Sequence, residues 1–282
     1  MGIISKALDI VPSAITSRIF GAVSEIEFYP PIQQFLNRSF AHLAHINMEE
    51  SEKPLREFHS LNALFTRSIR PETHPISSAQ LVSPVDGKLS FAGEIRDGIL
   101  LQAKGQEYSA RELAAPDNPN LTEWLKDAYA FTIYLSPSNY HRIHAPMDGV
   151  ITDIAYVPGR LLPVNRLGYM LTDDLLPANE RLTSFITRKD GHRCALVKVG
   201  ATCVGRISLS FDKFVTNREL LRLPFSRTLD KPFEVHPGME IACFELGSTV
   251  VLFVDRDGFE PEENLQTGCA IRMGMPLGNW IT

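Results

Sequence analysis

The sequence predicts an α+β fold, with a helical N-terminal region packed on a mainly antiparallel β body of barrel or sandwich-hybrid character. Three observations carry this prediction. Apolar residues recur at spacings of three and four through the first fifty residues, the repeat of one helix face. From about residue 80 the apolar segments become short, β-branched or aromatic, and many are separated by Gly, Pro, Asp and Asn. One motif, P-x-D-G-x-apolar, occurs twice, at residues 84–89 and 146–151. Asp-Gly before an apolar run is a turn entering a strand, because Gly accepts positive φ and Asp can bond its own turn backbone.

Taken in chain order, Ile3, Ile4, Leu8, Val11, Ile15, Ile19, Phe20 and Val23 describe two short amphipathic helices broken at Pro12. After Pro30-Pro31 the theme continues with Ile32, Leu36, Phe40, Leu43 and Ile46. Such a stripe can face a core or a lipid surface, and spacing alone favours the core. Leu55, Phe58, Leu61, Leu64 and Phe65 predict a further helix over 55–69, ending before Pro71. Strands are expected at 88–92, 131–135, 150–157, 195–199, 202–209 and 249–254, with helical turns at 110–113 and 121–127. The two P-x-D-G copies fit two hairpins of one sheet, and equally two unrelated turns.

Composition narrows the function classes. The chain has 282 residues, 44% hydrophobic and 22% charged, ordinary values for a globular protein of one large or two modest domains. With 28 Lys+Arg against 33 Asp+Glu, the net charge is −5, so the broad positive field that nucleic acid attracts is absent. The four cysteines, Cys194, Cys203, Cys243 and Cys269, lack CxxC spacing and read as reduced thiols rather than a zinc or disulfide framework. The longest run without Asp, Glu, Lys or Arg is the 14 residues 128–141, short of the ~18–20 that span a bilayer. Asp9, Arg18, Glu25 and Glu27 interrupt what a signal peptide would keep apolar.

Three places offer reactive chemistry. Gly247-Ser248-Thr249 precedes the strongly apolar Val250-Val251-Leu252-Phe253, so a hydroxyl stands at the sheet margin. Given a base and a stabilised oxyanion, Ser248 Oγ can attack the Gly247 carbonyl in an N-to-O acyl shift. By itself the tripeptide is a turn. Tyr140-His141-Arg142-Ile143-His144-Ala145-Pro146 supplies imidazoles, the side chains suited to proton exchange near neutrality. An HxxH pair without a third ligand is a weak metal signal, and Pro146 favours a strand exit over a helix, so the two rings suit different roles. Alone they read as a structural or surface pair. Asp86, in Pro84-Val85-Asp86-Gly87, can orient an imidazole or simply cap its own turn, and Asp148 sits in the same local setting.

Together these segments resemble the bacterial phosphatidylserine decarboxylase proenzyme family. The resemblance rests on Leu246-Gly247-Ser248-Thr249, on Tyr134-Leu135-Ser136-Pro137 through Pro146, and on Pro84-Val85-Asp86-Gly87. Leu101-Gln102-Ala103-Lys104-Gly105 with Tyr108-Ser109, Tyr156-Val157-Pro158-Gly159, Val164-Asn165, Asn179-Glu180-Arg181, Val199-Gly200-Ala201-Thr202-Cys203-Val204-Gly205 and Arg272-Met273-Gly274 extend it from about residue 50 to the C-terminus. One local departure is Ala242, which stands where relatives more often carry a second Gly on the approach to the processing site.

The resemblance implies a self-cleavage triad of Asp86, His144 and Ser248. His144 deprotonates Ser248, with Asp86 orienting the ring. Scission between Gly247 and Ser248 leaves a β subunit of 1–247 and an α subunit of 248–282, with Ser248 converted to a covalent pyruvoyl group and no metal. That group forms a Schiff base with phosphatidylserine, releases CO2 and gives phosphatidylethanolamine, serving phospholipid biosynthesis. His141 is then a substrate contact or proton donor, and Arg142 a candidate for the lipid phosphate. The implied organisation is a membrane-associating region over 1–50 and a catalytic domain over 51–282. The implied assembly is an α/β heterodimer, further assembled as a homo-oligomer and peripheral on the cytoplasmic face of the cell membrane. Two other classes compete. A lipoyl- or biotinyl-type carrier would use the P-x-D-G turns and a Gly238…Gly247 hairpin, but Met147 is followed by Asp148 where the modified Lys belongs. A pyruvoyl decarboxylase of soluble amino acids would not need the apolar N-terminal helices. A chain that no longer self-processes is a further alternative, set against the presence of Asp86, His144 and Ser248.

Overall fold

Strand formation follows the β-branched and aromatic runs closely. In a computed structural model, described over residues 21–101, 107–164, 172, 174–202, 206–217, 223–245 and 249–281, sixteen strands form. They are β1 (Leu81–Val82), β2 (Gly87–Glu94), β3 (Ile99–Leu101), β4 (Glu107–Ser109), β5 (Ala128–Tyr134), β6 (Arg142–His144), β7 (Gly149–Val157) and β8 (Arg181–Thr187). The remainder are β9 (Arg193–Val199), β10 (Arg206–Leu209), β11 (Phe225–Val235), β12 (Glu240–Glu245), β13 (Thr249–Asp255), β14 (Phe259–Pro261), β15 (Ala270–Ile271) and β16 (Pro276–Trp280). Every named pairing is antiparallel. The fold is therefore α+β and mainly β. Its principal sheet has eight strands in the order β11-β7-β8-β9-β13-β5-β2-β15, and β10-β12-β6 form a second sheet. Among the described residues of the expected Gly238…Gly247 hairpin, 240–245 form the single strand β12 rather than folding back on themselves. β11 pairs with β7, whereas β12 pairs with β10 and β6, so the turn between them carries the chain from one sheet to the other.

Residues 249–254 of β13 are all buried, as are 194–199 of β9 and 181–186 of β8. A strand covered on both faces reads as a continuous apolar run rather than an alternation, which is why Val250-Val251-Leu252-Phe253-Val254 is so plain in the sequence.

The P-x-D-G echo is structural. A Cβ built on Gly87 would stand 2.5 Å from the Tyr134 carbonyl oxygen and 2.7 Å from Ile133 Cγ2. On Gly149 it would stand 2.7 Å from the Thr187 carbonyl oxygen and 2.9 Å from Ile186 Cγ2. Both copies then lead into a strand with a bulge at the same place, between Leu89 and Phe91 in β2 and between Ile151 and Asp153 in β7. Close backbone approach requires glycine at both positions.

The helices are short. Residues 21–25 are helical, and α1 spans Pro30–Leu43; residues 1–20, which hold most of the first two expected helices, lie outside the described residues. The helix expected over 55–69 divides into a 3₁₀ turn at Leu55–Glu57 and α2 at Leu61–Phe65. Phe58 is extended and gives its carbonyl to Asn37 Nδ2 at 2.7 Å, while Ser60 caps the new start by accepting from Ala63 N at 3.0 Å. Spacing could not register that tertiary bond. Helical turns at Ala110–Ala114, Pro119–Thr122 and Glu123–Asp127 lie where the sequence predicts them. Glu25 pairs with Arg206 of β10, whose guanidinium also reaches Glu245 of β12 at 3.3 Å, tying the N-terminal segment to the strand that leads to 246–248. Among the described cysteines, Cys194, Cys243 and Cys269 are free thiols.

One buried group opposes the fold. Lys198 of β9 is fully buried, and its Nζ donates to Ser184 Oγ at 2.9 Å and the Leu196 carbonyl at 3.1 Å, with no carboxylate. Burial lowers its pKa to about 7. In the unfolded chain the amine protonates below ~10.4, so folding is penalised increasingly as pH falls from there through the folded value, and fully below it. Lys198→Leu is therefore expected to stabilise the protein by on the order of 1–4 kcal/mol, the range found when buried charge gives way to apolar packing. Denaturation of both proteins at pH 6 and pH 9 checks this; the gain should be larger at pH 6, and a pH-independent difference would contradict it.

Candidate active site

Three chain segments meet at one end of β6. The backbone N–H of His144 donates to the Pro84 carbonyl at 2.9 Å, which docks the Pro84-Val85-Asp86-Gly87 turn against the histidine strand. On the other side Glu240 of β12 pairs with His144, and Phe244 N donates to the His141 carbonyl at 3.0 Å. The histidine segment thus runs beside the strand that leads to 246–248. Gly247 and Ser248 lie outside the described residues; their neighbours Glu245 and Thr249 end β12 and open β13. Thr249 pairs with Tyr134 and Val199, and its hydroxyl oxygen is buried without a partner.

His144 is buried, with both ring nitrogens engaged. Nδ1 lies 2.7 Å from the Gly238 carbonyl and Nε2 lies 2.9 Å from the Tyr140 hydroxyl. A carbonyl only accepts, so Nδ1 carries the proton and Nε2 is the basic nitrogen. Gly238 has φ +81°, a conformation L side chains rarely adopt, and a Cβ there would strike Ile76 at 2.7 Å. Burial lowers the pKa of His144, while the Gly238 carbonyl, Glu240 and Asp86 act in the opposite sense. Ala242, at the second-glycine position, lies buried in β12 opposite Ile143, next to an irregularity between Glu240 and Ala242.

Asp86 is buried beside this pair, but its carboxylate does not bond His144. It takes His74 Nε2 at 3.0 and 3.1 Å and the Met273 amide at 2.8 Å. With those partners in place, Asp86 acts on His144 through space, favouring the protonated ring. The orienting bond expected from Asp86 is supplied by Gly238. Asp148, its sequence twin, has a side chain 67% exposed and pairs with His236 at 2.7 Å. Tertiary packing alone separates the two copies.

His141 is completely buried, its ring 3.9 Å from that of Phe65. Nδ1 donates to the Asn139 carbonyl at 2.8 Å, and Nε2 has no protein partner. Burial, reinforced by the Arg67 charge, lowers its pKa to about 3, so the ring is neutral at physiological pH. The two histidines therefore bond different carbonyls and do not act as one chelate. Arg142 donates from Nε to the Thr66 carbonyl and from Nη1 to Glu240, both at 2.9 Å, which commits two of its three nitrogens. The buried cation with unmet donors is Arg67. Its Nη2 reaches the Ser138 and Asn139 carbonyls at 3.0 and 3.4 Å, while Nε and Nη1 are buried without partners.

One group among the described residues has metal-ligand spacing. Atoms of Glu50, His74 and Asp86 lie within 4.8 Å of one another. Glu50 accepts from Arg272 at 3.0 Å, and the Arg67 charge faces both carboxylates. Two guanidinium groups against two carboxylates make an ion-pair network, and the donor set does not call for a cation. Sequence reasoning missed His74 and Arg67 and saw Gly238 only as the end of a hairpin, because a lone His, Arg or Gly carries no periodic or motif signal. Tyr140 was visible within a motif but without a role.

Comparison with known proteins finds relatives over nearly the whole chain. Residues 61–279 match the family model described as phosphatidylserine decarboxylase. The chain is 35% identical over 279 residues to the phosphatidylserine decarboxylase proenzyme of Myxococcus xanthus, covering 97% of this chain and 96% of that one. It is 37% identical over 253 residues to that of Legionella pneumophila, covering 88% of each. For Helicobacter pylori the identity is 34% over 259 residues, covering 90% and 95%.

The electrostatics of His141 are open to test. Nitrogen-15 NMR of the imidazoles should find His141 as the neutral Nδ1–H tautomer at pH 5, where an unperturbed histidine is mostly charged. Arg67→Leu removes a neighbouring positive charge and should move the His141 titration upward. A wild-type ring that titrates near pH 6.5 would contradict the assignment.

Proposed function

The chain belongs to the phosphatidylserine decarboxylase family, and from that premise we propose that it is a self-processing, pyruvoyl-dependent carboxy-lyase making phosphatidylethanolamine. The observation that carries the reading is the convergence of the His144–Tyr140 pair and the buried Asp86 on the strands that flank Gly247-Ser248. Self-processing needs a base near the serine, and His144 is neutral with a defined basic nitrogen. Proton uptake by that ring is favoured by Asp86 and Glu240.

Scission between Gly247 and Ser248 converts Ser248 into the pyruvoyl group, whose carbonyl supplies the electron sink for loss of CO2. Buried atoms free to meet such a group are at hand, since His141 Nε2 and Thr249 Oγ1, the latter next to Ser248 in sequence, lack protein partners. His141 Nε2 accepts as it stands, so a role in returning a proton to Cα requires the ring to be charged first. A substrate anion beside Arg67 would favour that by offsetting the positive charge that lowers the ring's pKa. Arg142 keeps Nη2 for the lipid phosphate, while Glu240 and the Thr66 carbonyl fix its fork.

A diacyl substrate requires work at a bilayer, and α1 supports this. Its buried residues are Gln33, Asn37 and Ala41, two of them polar. Gln33 donates to Asn37 at 2.8 Å, Asn37 donates to the Phe58 carbonyl at 2.7 Å, and Gln33 accepts from the Phe28 amide at 3.2 Å. Ile32, Phe35 and Leu43 point outward, with Phe35 69% and Leu43 77% exposed, beside Tyr29 at 73%, while Phe40 packs inward. A helix with its apolar side outward suits an interfacial position, and no described helix is long and apolar enough to cross a membrane. The reading is of a peripheral enzyme on the cytoplasmic membrane face, its two subunits derived from one chain.

Two measurements test these points. Intact mass under denaturing conditions should show wild type as fragments 1–247 and 248–282, the second lighter by one ammonia and with phosphatidylserine decarboxylase activity, and Ser248→Ala as one inactive chain. An uncut wild type that is folded would remove the pyruvoyl reading. Phe35→Asp with Leu43→Asp should reduce sedimentation with anionic vesicles at least several-fold while processing continues; undiminished binding would exclude this face.

A further inference from the structure

We infer that the Tyr140 hydroxyl is the relay through which a proton reaches and leaves His144 during self-processing. The inference rests on the reading of Ser248 as the nucleophile. With Nδ1–H committed to Gly238, Nε2 is the sole basic position of the ring, and it lies 2.9 Å from the Tyr140 oxygen. A neutral imidazole can hold that bond only by accepting, so the phenol donates and the lone pair is occupied. A base in that state takes a proton after its partner withdraws, or through its partner.

Withdrawal is opposed by packing. Tyr140 is 4% exposed and packs in a cluster with Ile69 and Met273. Its ring lies 5.4 Å from that of His144 and 6.2 Å from that of His74. The route through the partner remains, because a hydroxyl that donates once can still accept. The O–H bond of the nucleophile breaks and its proton joins the Tyr140 oxygen, while the Tyr140 proton moves to His144 Nε2. The electron pair released on the serine oxygen forms the bond to the Gly247 carbonyl carbon, whose π pair moves to its own oxygen. The same two transfers in reverse carry the proton from the imidazolium to the departing amine nitrogen.

The surroundings require the two transfers to be concerted. Burial chiefly, then Glu240, with Cys243 and Asp86 in the same sense, raise the Tyr140 hydroxyl well above the phenol range; Arg142 alone opposes them. A free phenolate is thus disfavoured, whereas a proton entering as another leaves never creates one. Around His144, Glu240 and Asp86 stabilise the imidazolium at the far end of the relay, and Arg142 opposes it.

The test uses the full chain made by cell-free synthesis, with cleavage followed in time across H2O–D2O mixtures. Two protons in flight give a bowed dependence of the rate on deuterium fraction for wild type. Tyr140→Phe should slow cleavage by about 100-fold or more, the usual worth of a positioned acid–base group, and give a linear dependence. A linear dependence for wild type, which requires no variant to fold, would overturn the relay. So would Tyr140→Phe cutting at the wild-type rate. Wild type that folds and is never cut would instead strike at the reading of Ser248.

Discussion

The bond from His144 Nδ1 to the Gly238 carbonyl fixes most of what the site can do. It exists because the turn between β11 and β12 has positive φ at Gly238, which presents the carbonyl to the ring. The same turn is held by Gly238 N to the Ala145 carbonyl at 3.0 Å and by Ala145 N to the Met239 carbonyl at 2.8 Å. One tautomer follows, and with it one basic nitrogen facing Tyr140. A backbone carbonyl stands where an acid would be expected, leaving Asp86 to His74 and Met273. The acid still favours the charged ring through space.

Charge around the site is arranged in two layers. Close to His144, burial chiefly and then Arg142 oppose the imidazolium, while the Gly238 carbonyl, Glu240 and Asp86 favour it. Farther in, Arg67 sits against His141 and lowers its proton affinity strongly. The two histidines, separated by Arg142 and Ile143, thus differ in surroundings, the Arg67 guanidinium acting on one and two carboxylates on the other. Carbonyl partners at Asn139 and Gly238 keep them from sharing an ion.

The apolar pattern of the N-terminal region takes on meaning only with its inward face in view. Spacing identifies a helix after Pro30-Pro31 and favours the core for Ile32, Leu36, Phe40, Leu43 and Ile46, because apolar residues usually point there. The structure turns Ile32 and Leu43 outward, packs Phe40 and Ile46 inward, and buries Gln33 and Asn37, whose amides find partners in each other and in Phe58. Buried amides are tolerable where each is bonded, and the exposed apolar side chains form the face proposed above to meet the membrane.

The strands were legible because residue type and length suffice for them. The β13 run, the two P-x-D-G turns and the segments holding Asp86, His144 and Ser248 all stand out locally. What the chain could not show alone is which polar group meets which. Asp86 and Asp148 share a sequence context, yet one is buried on His74 and the other solvated beside His236. The division of 55–69 into two turns depends on Asn37, far away in sequence. His74, Arg67 and Gly238 acquire roles only by contact. Local propensity and periodicity determine elements, because they act within a few residues. Hydrogen-bond partnership, burial and charge are set by pairs separated by tens to hundreds of positions, and only the packed chain decides those.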